Sequence, residues 1–106
     1  MSAKKSIHNV STSIKINVIG NDGKTVTNKM MDYRDLIITA LDNPPQAGFK
    51  RHDIARRNKI EDQLKGDVME LDNEDFQFVK QLCNDMSWSV RHKDLQTFLN
   101  YLDDVK

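Results

Sequence analysis

At 106 residues the chain is sized for one domain around a single modest core. Sixteen Lys and Arg cancel sixteen Asp and Glu, so net charge gives no reason to bind polyanions and any electrostatic argument must be local. A single cysteine, Cys83, excludes an intrachain disulfide, and no apolar run reaches bilayer-spanning length. The expectation is a cytoplasmic protein with no membrane partner.

Residues 1–11 read as a flexible basic arm holding Lys4 and Lys5, without the apolar run of a secretory signal. A single α+β domain is expected over 12–106. In it Ile14, Ile16 and Val18 alternate with Lys15 and Asn17, the period-two pattern of a half-buried strand. The loop GNDG (Gly20 to Gly23) supplies residues that tolerate positive φ, and Lys24 to Lys29 is the expected return strand. That makes a β-hairpin over about 12–30, which is marginal unless it lies on helices or on a partner's sheet.

The helical part is expected over about 32–106, as three to four short helices with the third and fourth forming the core. The first begins at Asp32 or Tyr33 with Leu36, Ile37, Ala40 and Leu41 on one face, and Pro44 and Pro45 end it. The second runs from about Arg51 to Lys65, with a thin apolar face of Ile54, Ile60 and Leu64 and a Gly66 cap. Arg57 and Glu61 fall four residues apart and are placed to pair. Asp67 to Leu71 reads as an extended link or edge strand. Asp72 opens the third helix as N-cap with Glu74 and Asp75 in its first turn, and Phe76, Val79, Leu82, Cys83 and Met86 form its apolar face. The fourth runs from about His92 to Asp104 on Leu95, Phe98, Leu99 and Leu102.

The segment Lys50 to Lys59 holds five basic residues and one acidic, whereas Asp67 to Asp85 holds six acidic and one basic. On a helical projection His52, Arg56, Lys59 and Gln63 share a stripe, which is what the wet side of any surface helix shows. Lys50 and Arg51, however, sit at the helix N-terminus, where positive charge opposes the macrodipole. Local helix stability does not explain them, and a negatively charged contact would. The basic and acidic blocks are placed to attract one another within a monomer, or to pair head-to-tail between subunits.

No catalytic or metal signature is present. His8, His52 and His92 lie about forty residues apart, with no ligand at helical spacing. Asp72 to Asp75 lacks the glycine and distal glutamate of a calcium loop. Cys83 sits on an apolar face, where a buried thiol is expected rather than a nucleophile. The glycines form no phosphate cradle. The expectation is therefore a protein that is not an enzyme and uses no cofactor. Trp88, between two helices with polar neighbours, reads either as an indole capping the core or as an exposed anchor, with Phe78 and Tyr101 as companions.

The stretch MELDNEDFQFVKQLCNDM (Met69 to Met86), with YRDLIITALDN and KIEDQLKG before it, resembles small accessory proteins encoded in tailed-bacteriophage genomes. The resemblance covers about residues 30–104 and rests on an apolar/acidic rhythm, from which NPPQAGFKRHDIARR departs. It implies a phage setting, hence the host cytoplasm, and binding to a host or virion protein. It implies no activity.

The leading expectation is a non-enzymatic protein–protein interaction module, a modulator of a host complex or a small assembly component. Its contact surface would be Lys50, Arg51, Arg56 and Lys59, or a patch of Trp88, Phe78 and Tyr101. The alternative is a nucleic-acid-binding regulator using Lys50, Arg51, Arg56, Arg57 and Lys59 with Lys4 and Lys5. A third reading is a small-molecule or nucleotide binder at a subunit interface, and the hairpin is open to pairing with a partner or a second copy as a homo-oligomer.

Overall fold

A computed structural model describes residues 4–45, 47–88 and 91–105. The elements in chain order are β1 (Lys4–His8), β2 (Ser11–Ile19), β3 (Val26–Asp32), α1 (Tyr33–Asp42), α2 (Arg51–Gln63), β4 (Val68–Asp72), α3 (Asn73–Asp85) and α4 (Lys93–Asp104). The fold is α+β, with four helices and two antiparallel two-stranded sheets, β1–β4 and β2–β3.

The first sheet places Lys4–His8 of the expected flexible arm in a strand, residues 1–3 of that arm lying outside the described residues. From Lys4 to His8 the chain pairs with β4, Lys4 opposite Asp72 and His8 opposite Val68. Lys5 and Ile7 face Leu71 and Met69, and Ile7, Leu71 and Met69 are fully buried. One apolar residue in five is too weak a local pattern to announce a strand. Its partner lies some sixty residues away, and only tertiary pairing reveals it.

The second sheet is the expected hairpin, though its return strand starts at Val26 and not at Lys24. Gly20 N–H donates to the Thr25 carbonyl at 2.7 Å, and Gly23 turns the chain at φ 70°. The Asp22 carboxylate accepts from the amides of Lys24 (2.9 Å) and Thr25 (2.8 Å) and from the Thr25 hydroxyl (2.6 Å), which holds both residues in the turn. These bonds keep the Asp22 carboxyl down at about 2. At the hairpin base β2 is irregular between Ser11 and Lys15. There Thr12, buried, donates to the Met31 carbonyl at 2.6 Å and accepts from Ile14 N–H at 3.1 Å.

Asn9 fastens the two sheets to α1. Its side chain donates to Asp32 at 3.0 Å and accepts from Arg34 N–H at 3.0 Å, and its own N–H donates to the Asp67 carbonyl at 2.8 Å. Asp32 and Asp35 form a reciprocal capping box at the start of α1. Burial opposes the Asp32 charge, yet the Asp35 amide and the Asn9 side chain hold its carboxyl below the ordinary value.

The core is shared more widely than α3 and α4 alone. Leu36, Ile37, Ala40 and Leu41 of α1 meet Phe76, Val79 and Cys83 of α3 and Phe98 and Leu102 of α4, closed by Ile60 of α2 and by Ile14 and Met31 of the hairpin. Tyr33 stacks tilted on Phe98 and Tyr101, with ring centroids 4.9 and 5.4 Å apart. The Cys83 thiol is buried here and burial pushes its pKa up to about 12. The extents are 49 × 31 × 25 Å. The radius of gyration is 14.4 Å, against about 13 Å for a compact chain of this length. No helix among the described residues is long and apolar enough to cross a membrane.

Candidate functional site

The basic segment on α2 divides into two parts with different fates. Its C-terminal part is spent on the protein itself. Arg57 is buried, and its Nη1 donates to the carbonyls of Leu41 (2.8 Å) and Asn43 (3.0 Å). These groups end α1, where carbonyls have no intrahelical partner and a cation complements the dipole. The pairing expected between Arg57 and Glu61 is not made; two desolvated carbonyls are the stronger claim on a buried guanidinium.

Arg56 and Lys59 reach α3. Arg56 Nε lies 3.6 Å from Asp75 Oδ1, and Lys59 Nζ lies 3.2 Å from Asp75 Oδ2 and 3.9 Å from Asp72. Arg56 also donates to the Glu74 carbonyl at 3.2 Å and stacks over the Phe78 ring at 4.3 Å. Asp75 is buried, so the two cations neutralise a carboxylate that has left water. The basic and acidic blocks therefore attract one another within the monomer. Arg56 and Lys59 make these contacts to α3 while their side chains stay 41% and 61% exposed.

Capping of α3 also differs in detail from expectation. Asp72 stands at the N-cap without a side-chain hydrogen bond to the helix, and Asp75 in the first turn carries the favourable negative charge.

The N-terminal part of the segment faces outward. Lys50 occupies the N-cap of α2 with extended backbone and no side-chain cap bond, and Arg51 begins the helix; both are exposed. Neither makes an ion pair among the described residues. Beside them Phe49 and Ile54 are 39% and 46% exposed. The assignment of Ile54 to the buried side of α2 is thus corrected; Ile60 and Leu64 carry that side.

Phe49 and Ile54, with Leu41, Asp42, Arg57, Asn58 and Glu61, line a surface notch of about 120 Å³. Arg57 Cζ lies 4.8 Å from the Phe49 ring centroid, and its Nε is buried with no acceptor. Arg51, Ile54, Asn58 and Glu61 recur on one helix face. The notch has apolar walls, an unsatisfied buried donor on its lining residue Arg57 and two carboxylates, Asp42 and Glu61, while Lys50 and Arg51 adjoin its lining residue Phe49 in sequence.

The remaining candidates do not gather into one site. Trp88 is half-buried, packed against the core, and its indole N–H donates to the Cys83 carbonyl at 2.9 Å. That is the core-capping role. Phe78 lies under Arg56, and the Tyr101 hydroxyl accepts from His8 N–H at 2.8 Å. The three rings contact different partners, so a common patch of Trp88, Phe78 and Tyr101 is not assembled by these contacts. Lys4 and Lys5 lie in β1 and are tied to β4, Lys4 opposite Asp72, whose carboxylate lies 3.9 Å from Lys59 of α2. No cluster of three or more His, Cys, Asp or Glu fit to hold a metal occurs among the described residues.

Lys50 and Arg51 are legible in the sequence through their conflict with the helix dipole. Phe49 is not, its only signal being an aromatic side chain beside a proline–glycine loop. Comparison with protein-family models, curated proteins and solved structures finds no match.

Proposed function

We propose that this protein is a non-enzymatic protein–protein interaction module that docks its partner on the outer face of α2. The observation that supports this is the notch walled by exposed Phe49 and Ile54, next in sequence to Lys50 and Arg51, which are exposed and make no ion pair among the described residues. Burying an aromatic and a branched apolar side chain in a small complementary recess is how hot spots are built. Positive charge at the rim sets orientation and speeds encounter. The fitting partner presents one bulky apolar side chain with acidic neighbours. In the phage setting that the sequence resemblance implies, this partner is a host or virion protein met in the cytoplasm. Charge alone argues less for a nucleic-acid ligand, since Arg56, Arg57 and Lys59 are already bound within the chain.

The test is capture by the tagged protein from host lysate, with and without nuclease, beside an Ile54→Asp/Arg51→Glu variant. A stoichiometric protein that survives nuclease and is lost with the variant is the expected result. Material that vanishes with nuclease would instead favour a nucleic-acid regulator, and capture indifferent to the variant would move the surface elsewhere.

A further inference from the structure

Away from α2, the hairpin carries a second unmatched surface. Val26 and Met30 of β3 are 60% and 59% exposed, and they share a face of the strand with exposed Asn28. Among the described residues the sheet has two strands only, so β3 has an edge that none of them pairs. The β2 side is partly covered at its base, where Ser13 N–H donates to Asp94 of α4 at 2.7 Å. A lysine on an edge strand normally discourages pairing. Here Lys29 belongs to the other face and its ammonium lies 3.6 Å from Asp35 of the protein's own α1. The edge therefore lacks the protection that solitary ribbons carry.

We propose that β3 pairs antiparallel with β3 of a second copy about a two-fold axis at Asn28, giving a four-stranded sheet in the order β2–β3–β3–β2. The strand is self-complementary in that register. Val26 falls opposite Met30 of the partner copy, Thr27 opposite Lys29, and Asn28 opposite itself. Neighbouring registers are worse. Centring on Lys29 sets two ammonium groups face to face and puts Val26 against Asp32, whereas centring on Thr27 puts Val26 against Asn28 and Met30 against Lys24 of the turn. Ile14 and Met31 already anchor the hairpin in the core, and widening the sheet to four strands adds to that support. The inference does not depend on the α2 surface; if both hold, the dimer presents two notches and binds a multivalent partner with avidity.

Sedimentation velocity over a concentration series tests it. The intact protein is expected to form dimers, Val26→Lys to run as a monomer, and Val26→Lys with Met30→Glu to recover the dimer. Positions 26 and 30 of one strand lie about 13 Å apart, so recovery requires the pair to form between copies. A monomeric wild type, a dimeric Val26→Lys, or a folded double variant that stays monomeric would overturn the proposal. Should Val26→Lys lose its helical circular dichroism, Asn28→Cys oxidised with diamide reads the same contact. It is expected to give a covalent dimer while Asn100→Cys, on α4, does not; equal or absent cross-linking in both would overturn the pairing. The buried Cys83 thiol does not interfere.

Discussion

Arg57 is the residue on which the α1–α2 junction turns. Its guanidinium holds two carbonyls at the end of α1 and packs on Phe49. Arg57→Ala leaves both acceptors desolvated and should cost about 2–3 kcal/mol, read as a lower chemical-denaturation midpoint. Lysine should restore it only in part, because an ammonium can donate to both carbonyls as Nη1 does but lacks the planar guanidinium that packs on Phe49. Trp88→Phe removes the indole bond to Cys83 together with part of a ring packed on the core, and should cost about 1–2 kcal/mol. The burial of Cys83 was legible from its neighbours Phe76, Val79 and Met86 at helical spacing. The burial of Arg57 was not. An arginine between Arg56 and Asn58 looks solvated until the carbonyls it must satisfy are placed beside it.

At the scale of elements, local chemistry announced the hairpin, the four helices and their stops, since alternation, the Pro44–Pro45 pair and the acidic first turn of α3 act within a few residues. The β1–β4 sheet was hidden because neither strand is strong alone and their pairing is long-range. The site was half legible. Charge placement pointed to Lys50 and Arg51, but the periodicity of α2 could not show that Ile54 faces outward while Arg57 faces in.

The capped turns carry a pH dependence. Asp22 titrates at about 2 in the fold against an ordinary 3.8, and Asp32 is also lowered. Both anions favour the native state, so their contribution is complete above the ordinary value and is lost as pH falls from 3.8 towards about 2. Amide resonances of Lys24 and Thr25 should shift across that window. Invariance there would show that the Asp22 bonds do not form.

For the whole molecule, the division of one basic segment into an inward and an outward part links stability to function. Arg56 and Lys59 neutralise buried Asp75 and tie α2 to α3, whereas Lys50 and Arg51 oppose the dipole of their own helix and make no ion pair among the described residues. Asp53 is the one acidic residue in the first turn of that helix. A cost in helix stability that no ion pair to Lys50 or Arg51 among the described residues offsets is what a contact surface looks like before its partner arrives. Two double charge reversals followed by thermal unfolding separate the parts most directly. Arg56→Glu/Lys59→Glu crowds carboxylates at the start of α3 and should lower Tm by roughly 10 °C, from about 2 kcal/mol lost. Lys50→Glu/Arg51→Glu should leave Tm unchanged or raise it by a few degrees, about 0.3–1 kcal/mol per charge relieved at the helix N-terminus. A tolerant Arg56/Lys59 pair together with a destabilising Lys50/Arg51 reversal would contradict the division and remove the argument that the N-terminal end of α2 awaits a partner.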